Sequence, residues 1–481
     1  MTSPTGWETV VGLEVHCELA TATKLFCGCR NAFGDEPNTN VCPVCLGLPG
    51  SLPVLNRQAV ELAMRVGAAL HSAIEPSVFH RKNYFYPDMP KDYQVSQYDR
   101  PINVGGWIDL PNATSGLGRI GVTRAHMEED TGKTAHVGHS GRIHGADYAL
   151  VDYNRAGVPL VEIVSEPDLR SADDAKAYVN ELRAVLVAIG ASDARMEEGS
   201  LRIDANVSVR RAGSPALGTR AEIKNLNSVR SLGRAVEYEA ARQVDLLESG
   251  GTVVQETRHW DEDAGRTSSM RSKEEAYDYR YFPEPDLVPL DPDADWQAAV
   301  RAGLPALPAE RRASLSESTG IALDDRALVT VVRLGLDGLV AAALEKGADA
   351  RLALNRAANE VAAAHVDAGD VDAAAFAAVL AMESAGALTA TQAKQVLAES
   401  LVTGRDPAEI AAARGFETLA AGDLAGVVDE VVADHPVEWA RFAAGEQKLA
   451  GFFVGKVMAA TKGKADGRAV TSRLRELATR A

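Results

Sequence analysis

Two widely separated segments alternate between apolar and polar side chains, and this pattern constrains the fold more than any other feature. Apolar residues occupy the odd positions of 11–19, with Glu14, His16 and Glu18 between them, and 201–209 alternates in the same way around Asp204. Because successive side chains of a strand point to opposite faces, each segment predicts a β-strand with one buried and one polar face. Strands of this kind are typical of antiparallel sheets.

The composition changes after the proline-rich segment 283–292, which predicts a domain boundary there. Predicted strands and helices, notably helices over 59–73 and 171–189, precede it, whereas an alanine-rich and wholly helical region follows it. We therefore expect an α+β fold, with an N-terminal domain over 1–294 that contains an antiparallel sheet. The helical region is expected to divide into 295–405 and 406–481.

The charge is distributed unevenly along the chain. The formal net charge of −17 argues against a nonspecific nucleic-acid binder, whose affinity comes from phosphate neutralisation. Residues 441–481 nevertheless contain nine basic and three acidic side chains. This tail is either a surface for a phosphate backbone, with Gly463 breaking a helix between Lys462 and Lys464, or a solvated basic helix end.

The sequence shows no membrane or export signal. No apolar run approaches the roughly 18 residues that a membrane helix needs. The segment Met1–Trp7 has neither the basic nor the apolar region of a signal peptide. We therefore expect a cytoplasmic protein that does not enter a membrane.

Four of the five cysteines form two short pairs, Cys27-Gly-Cys29 and Cys42-Pro-Val-Cys45, separated by a twelve-residue gap. Two such pairs supply the four thiolates of a tetrahedral zinc site, and in a reducing compartment the pattern favours a metal over disulfides. Four sulfur ligands leave no open position, so we predict a structural zinc. Reduced, unliganded thiols are the alternative. Cys17, on the apolar strand face, is expected to serve packing.

Two nucleotide-binding motifs are incomplete. Gly116–Gly121 has the spacing G-x-G-x-x-G, but no predicted strand precedes it and no helix follows, so a hairpin turn is the better interpretation. Gly132-Lys-Thr134 resembles the end of a P-loop, but Met127 stands where the first glycine would be. An ATP site in this chain would therefore need another architecture.

Acidic side chains recur within strand-like segments, as Glu14, Glu128-Glu129, Glu162 and Asp204. Carboxylates from separate strands on one sheet face could surround Mg²⁺, which prefers oxygen ligands and neutralises phosphate charge during phosphoryl transfer. For most of them taken singly, a solvated strand face is the simpler interpretation. Glu162 is the exception, because it lies within an apolar run, where an unpaired charge is costly.

Specific motifs occur in order from the N-terminus to the tail. They are Val11–His16, Lys24–Phe26, Cys42–Gly50, Arg81–Lys91, His126–Lys133, Asn154–Asp168, Met196–Arg202, Glu222–Asn227, Arg271–Pro283 and Gly451–Lys464. In these motifs the chain resembles the GatB family, the B subunits of the aspartyl/glutamyl-tRNA amidotransferases. The resemblance spans the chain and is loose only over 300–440.

The resemblance implies a ligase of protein biosynthesis that forms carbon–nitrogen bonds with glutamine as nitrogen donor. This subunit would use ATP and Mg²⁺ to phosphorylate the side-chain carboxylate of Glu-tRNA(Gln), Asp-tRNA(Asn) or both, and ammonia would then displace the phosphate. The partners in a heterotrimer would be the A subunit, which is an amidase (glutaminase), and the small C subunit. The fold would be a cradle domain, a helical domain and a YqeY-like tail that binds the outer elbow of tRNA.

The resemblance also assigns residues. Lys82 would line the ammonia route, and the zinc would be structural because some family members lack the cysteines. The catalytic and Mg²⁺·ATP-binding side chains would be Glu14, His16, one of Glu128 or Glu129, Glu162 and Asp204. Two other functions stay open. A zinc-containing tRNA-binding scaffold would not need the polar strand face, and a lone ATP-grasp-like ligase would not need the basic tail.

Overall fold

The computed structural model describes residues 6–110, 118–138, 146–272, 279–364, 366, 368–416, 421–461, 465 and 467–480. The chain divides into two compact units, Met1–Glu310 and Arg311–Ala481. All the described strands belong to the first unit, and the second is helical wherever it has regular structure. The predicted α+β class with a following all-α region is thereby confirmed. The Gly116 end of the predicted turn and the predicted helix break at Gly463 lie outside the described residues.

The strands of the first unit are short apart from three long ones that pass through the middle of the sheet. They are β1 (Trp7–Glu18), β2 (Ala73–Ile74), β3 (His80–Asn83), β4 (Tyr93–Ser96), β5 (Asn103–Val104), β6 (Trp107–Asp109), β7 (Arg119–Glu129), β8 (Lys133–Gly138), β9 (Ala146–Asp152), β10 (Pro159–Ser165), β11 (Leu201–Arg211), β12 (Ala221–Leu226), β13 (Glu256–Asp261), β14 (Arg266–Ser272) and β15 (Phe282–Pro283).

Thirteen of the described strands form one sheet, with β1 between β10 and β11. The order along its main path is β14-β13-β12-β11-β1-β10-β7-β4-β3-β15, and β5 and β6 also pair with β7. The described pairings are antiparallel except that of β12 with β13, which is parallel. Strands β8 and β9 form a separate hairpin. Both alternating segments are therefore strands of one largely antiparallel sheet, as predicted.

Helices cover the apolar face of this sheet. They are α1 (Arg57–Ala69), α2 (Ala172–Ala188), α3 (Val229–Glu248) and α4 (Ala294–Ala302). Buried side chains of β1, such as Leu13 and Val15, share one core with side chains of all four helices, and Cys17 lies in it as expected. Helix α2 begins after Ser171, whose hydroxyl accepts the N–H of Asp174 at 3.0 Å. The other face of the sheet carries the polar side chains.

One helix end and the packing of one helix differ from the sequence-based expectations. Helix α1 ends at Ala69, before the predicted 73, because His71 takes a left-handed backbone conformation (φ 59°) that a helix cannot continue. Helix α4 follows the proline-rich segment but packs on the first unit, where the Arg57 guanidinium lies 4.2 Å from the Trp296 ring centre. The boundaries of functional domains after residues 294 and 405 stay predictions.

The second unit contains two separate hydrophobic cores, one between Leu315 and Ala411 and one between Leu424 and Leu474. No single described helix is long and apolar enough to cross a membrane, although one pair bent by 113° meets the criteria of length and composition together. The α-helices are α5 (Pro308–Thr319), α6 (Arg326–Arg333), α7 (Asp337–Glu345), α8 (Ala350–Arg356), α9 (Ala373–Ser384), α10 (Ala390–Thr403), α11 (Pro407–Ala413), α12 (Ala421–Asp434), α13 (Pro436–Ala443), α14 (Ala450–Ala460) and α15 (Gly467–Arg480).

Candidate metal centres

The polar face of the sheet brings together side chains from three adjacent strands. His16 of β1 pairs directly with Glu162 of β10, and Glu162 pairs in turn with His126 of β7. Glu128 lies two residues after His126 and therefore points to the same face. The register of the sheet thus places two imidazoles and two carboxylates side by side.

Three of these groups form a cluster that can hold a cation. His16 Nε2 lies 3.5 Å from Glu128 Oε1 and 3.7 Å from Glu162 Oε2. One donor atom from each of the three residues lies within 4.8 Å of the other two. An imidazole nitrogen and two carboxylate oxygens fit a divalent cation, whose charge would offset that of the two largely buried carboxylates.

The protonation of the cluster reflects its burial. Burial, followed by the nearby Glu128 and Glu14 carboxylates, raises the pKa of Glu162 to about 8. Burial lowers the pKa of His16, an effect that the Glu128 carboxylate opposes. His16 is therefore held neutral, the state in which an imidazole binds a metal, and Glu162 holds a proton that a cation would displace.

Glu14 and Asp204 lie next to the cluster on the same face, directly opposite each other on β1 and β11. Both are engaged elsewhere: Asn206 Nδ2 donates to Glu14 Oε1 at 2.9 Å, and Lys224 Nζ lies 2.6 Å from Asp204 Oδ2. Although burial opposes it, the carboxylates of Asp204 and Glu222 raise the pKa of Lys224. The structure thus brings Glu14 and Asp204 beside the triad without making them part of it.

Glu129 and Lys82, two further predicted site residues, lie outside the cluster of His16, Glu128 and Glu162. Glu129 follows the buried Ala125 and Met127 of β7 at steps of two, so it points to the face opposite Glu128, where Lys91 Nζ lies 2.5 and 2.7 Å from its two oxygens. Of the two adjacent carboxylates, the geometry therefore selects Glu128 for the cluster. Lys82 extends from β3 over the ring of Tyr279, with 4.6 Å between Nζ and the ring centre. Its charge partly opposes the burial that raises the pKa of Glu162, and it adds to the burial that lowers the pKa of His126.

Several polar residues of this face were given no role from the sequence. His126 is fully buried beside Glu162. Arg202 of β11 lies directly opposite His16 of β1, and its guanidinium donates a hydrogen bond to Asp130 Oδ2 at 2.7 Å. The alternation of side chains along a strand could have identified them, because His126 and Arg202 precede Glu128 and Asp204 by two residues and therefore lie on the same face. Lys224 follows from the same alternation in β12.

The four cysteines form a second cluster, as predicted from their spacing. One sulfur from each of Cys27, Cys29, Cys42 and Cys45 lies within 4.8 Å of the other three. The Cys42 N–H donates to Cys45 Sγ at 3.1 Å, a contact that stabilises a thiolate. A hydrogen bond from the Cys27 thiol is the main reason that the pKa of Cys45 is lowered to about 5. Four converging sulfurs of this kind fit a tetrahedral metal ion.

Comparison with known families covers most of the chain. The family described as "GatB/GatE catalytic domain" matches residues 9–298, and the one described as "GatB domain" matches residues 339–477. This chain belongs to the GatB family. The predicted resemblance to that family is thereby confirmed.

Curated relatives match nearly the whole length of this GatB chain. A protein of Frankia casuarinae is 50% identical, with 98% of this chain and 95% of the relative aligned. Another of Mycobacterium sp. (strain KMS) is 50% identical over 98% of this chain and 95% of its own length. A third, of Moorella thermoacetica, is 48% identical over 98% and 99%. All three are named as the B subunit of an aspartyl/glutamyl-tRNA(Asn/Gln) amidotransferase.

The basic tail lies largely within the matched GatB domain. Phe453, Val457 and Leu474 of α14 and α15 are buried in a small core, while Lys456 and Arg475 project into solvent. Lys448, Lys456 and Arg475 form no ion pair with described residues, in contrast to Arg473, which binds Asp429 at 2.9 Å. Lys462 and Lys464 lie outside the described residues.

Proposed function

We propose that this GatB chain is the subunit of a tRNA-dependent amidotransferase that phosphorylates a tRNA-borne carboxylate with ATP. The observation that supports this most is the triad His16, Glu128 and Glu162, which offers a divalent cation three donors on one face of a rigid sheet. The relatives' names supply the substrate class, Glu-tRNA(Gln) or Asp-tRNA(Asn).

The chemistry follows from the nature of the substrate. A carboxylate is a poor electrophile until one of its oxygens becomes a leaving group, so an oxygen of the Glu or Asp side chain attacks the γ-phosphorus and ADP departs. Ammonia then attacks the acyl carbon and phosphate leaves, which forms the amide. Mg²⁺ held by the triad would neutralise the charge on the ATP phosphates.

The chain's own residues hold and shield the reactants. Glu14 and Asp204 flank the triad, so they extend the cation site toward bound phosphates. Lys224 and Arg202, next to them, carry positive charges that can exchange their carboxylate partners for phosphate oxygens. The acyl phosphate must be kept from water, a task that the partly buried sheet face supports.

The remaining assignments concern assembly. The cysteine cluster would hold a structural Zn²⁺, since four sulfurs leave no open position. Ammonia would come from the A subunit, an amidase (glutaminase), and the small C subunit would complete a cytoplasmic heterotrimer. Lys82 would line the route of ammonia to the acyl phosphate. The enzyme is then a ligase that forms carbon–nitrogen bonds with glutamine as donor.

The tail would hold the tRNA. Lys448, Lys456 and Arg475 are exposed cations without ionic partners among the described residues, on a chain of net charge −17. Phosphate contacts fix position without reading sequence, so tail contacts would serve both tRNA substrates alike. Because α14 supplies Phe453 and Val457 to a core, replacement of the exposed cations Lys448, Lys456 and Arg475 by Ser tests this role without removing a helix.

A zinc-containing tRNA scaffold without ATP chemistry is the competing function, and the cysteine cluster and tail fit it equally well. The test uses the chain reconstituted with its amidase partner, ATP, Mg²⁺ and no glutamine. Release of ADP that requires Glu-tRNA(Gln) or Asp-tRNA(Asn), and does not occur with uncharged tRNA, is the expected result. Retained tRNA binding without charge-dependent ADP release would favour the scaffold.

A further inference from the structure

His126 is a fully buried histidine to which the proposed function assigns no role. Among the described residues, neither of its ring nitrogens has a hydrogen-bond partner of good geometry. Buried polar atoms are almost always paired in folded proteins, so an unpaired imidazole points to an interaction that the site completes.

The nearest polar atom belongs to the triad. His126 Nε2 lies 3.3 Å from Glu162 Oε2, and His16 Nε2 lies 3.7 Å from the same oxygen. The sheet enforces this arrangement, because Glu162 pairs with His126 on one side and with His16 on the other. The Glu162 carboxylate therefore stands between two imidazoles.

The His126 ring is also fixed on its far side. The Tyr98 ring meets it edge to face, at 6.1 Å between ring centres and 81° between planes. The Arg124 guanidinium covers Tyr98 at 4.6 Å from its ring centre. A ring confined by a strand neighbour and by an aromatic wall can serve as a rigid hydrogen-bond donor.

We propose that His126 is a positioning residue, which donates from Nε2 to the Glu162 carboxylate and holds it in place for the divalent cation. His126 acts through Glu162 rather than as a ligand, since the group of donors within 4.8 Å of one another comprises His16, Glu128 and Glu162. Partners of this kind orient metal ligands and typically change metal affinity about 10–100-fold when removed. The inference rests on the cation site of the proposed function.

The test measures binding of Mn²⁺ to the full zinc-loaded chain by electron paramagnetic resonance, without ATP or tRNA. His126→Leu should weaken binding about 10–100-fold. His126→Gln, whose amide nitrogen can reach the place of Nε2, should recover most of the affinity, and His126→Asn, whose amide is shorter, should recover less. His80→Gln is the control, because this buried histidine faces Asp99 at 3.8 Å and not the triad.

A double-mutant cycle tests the route of the effect. If His126 acts through Glu162, His126→Leu should add no further loss of Mn²⁺ affinity in a Glu162→Gln background. Wild-type affinity in His126→Leu, or an equal additional loss in that background, would overturn the proposal. Should His126→Leu not fold, equal affinities of the Gln and Asn variants would overturn it as well. A wild-type chain without bound Mn²⁺ would instead refute the proposed cation site.

Discussion

The two clusters of potential metal ligands in the first unit are built in opposite ways. The four cysteines come from 27–45, a segment without regular strands or helices, and Cys29 and Cys42 are half-buried. His16, Glu128 and Glu162 come from three neighbouring strands of one sheet, far apart in sequence, and their positions are set by strand register. The cysteine cluster links two parts of an irregular segment, whereas the triad lies on strands that are held together by their own backbone pairing.

This difference predicts different roles. A segment without regular structure depends more on a bound metal for its order, whereas ligands on paired strands are held in place by the sheet. We therefore expect the cysteine cluster to contribute mainly to local stability and the triad mainly to chemistry.

The largest effect is expected next to the triad. Asp204→Ala or Glu14→Ala should lower charged-tRNA-dependent ATP hydrolysis at least about a hundredfold, because each removes a carboxylate that would help to hold Mg²⁺ beside the ATP phosphates. Glutamine hydrolysis by the partner without tRNA should survive. Arg210→Met is the matched control, since Arg210 lies on the same face of β11 but binds Glu8. Normal ATP hydrolysis in both carboxylate variants would place the site elsewhere.

The neighbours Glu128 and Glu129 separate cation binding from folding. Glu129→Gln leaves Lys91 buried without its partner and should cost about 3–5 kcal/mol of unfolding free energy, while Mn²⁺ affinity is kept. Glu128→Gln should do the reverse, because it removes a donor of the triad. Chemical denaturation and Mn²⁺ titration measure the two effects. Equal loss of Mn²⁺ affinity in both variants would contradict the placement of Glu128 and Glu129 on opposite faces of the sheet.

The cysteine cluster should have the smaller effect on chemistry. About one zinc per chain is expected from the four-ligand count. Cys42→Ser should release the zinc and speed hydrogen exchange over 25–50. ATP hydrolysis should fall less than about tenfold, which is less than the loss expected when a residue that supports the ligands of a catalytic metal is removed. Cys17→Ala is the control, because Cys17 lies in the core away from the cluster and should leave the zinc content unchanged. Rapid alkylation of all four thiols in the wild-type protein would contradict a metal there.

A further prediction concerns wild-type protein and is a pH dependence of cation binding. Burial raises the pKa of Glu162 to about 8, so a cation must displace a proton below that pH. Mn²⁺ affinity should rise about tenfold per pH unit up to about pH 8 and then level off. Because the folded state holds this proton more tightly, the metal-free chain should lose stability as the pH rises from about 4.5 to about 8. A flat Mn²⁺ affinity between pH 6 and 8 would exclude Glu162 as a proton-releasing ligand.

The two clusters also differ in how far they could be predicted. Spacing alone predicted the cysteine cluster, because its ligands are close in the chain. Alternation predicted that β1 and β11 each have a polar face, and hence the placement of Glu14, His16 and Asp204. It did not predict that Glu162 would stand between His16 and His126, because strand pairing and register depend on contacts between distant segments. For the same reason, the choice between Glu128 and Glu129 required the structure.

Two different metals in two different clusters can be told apart most directly by anomalous diffraction. Crystals of the full chain grown with Zn²⁺ and Mn²⁺ would be measured at the absorption edge of each metal. We expect a zinc peak among Cys27, Cys29, Cys42 and Cys45, and a manganese peak within about 2.3 Å of donors from His16, Glu128 and Glu162. A manganese peak at another place, or its absence from the polar face of the sheet, would show that the triad does not hold the cation.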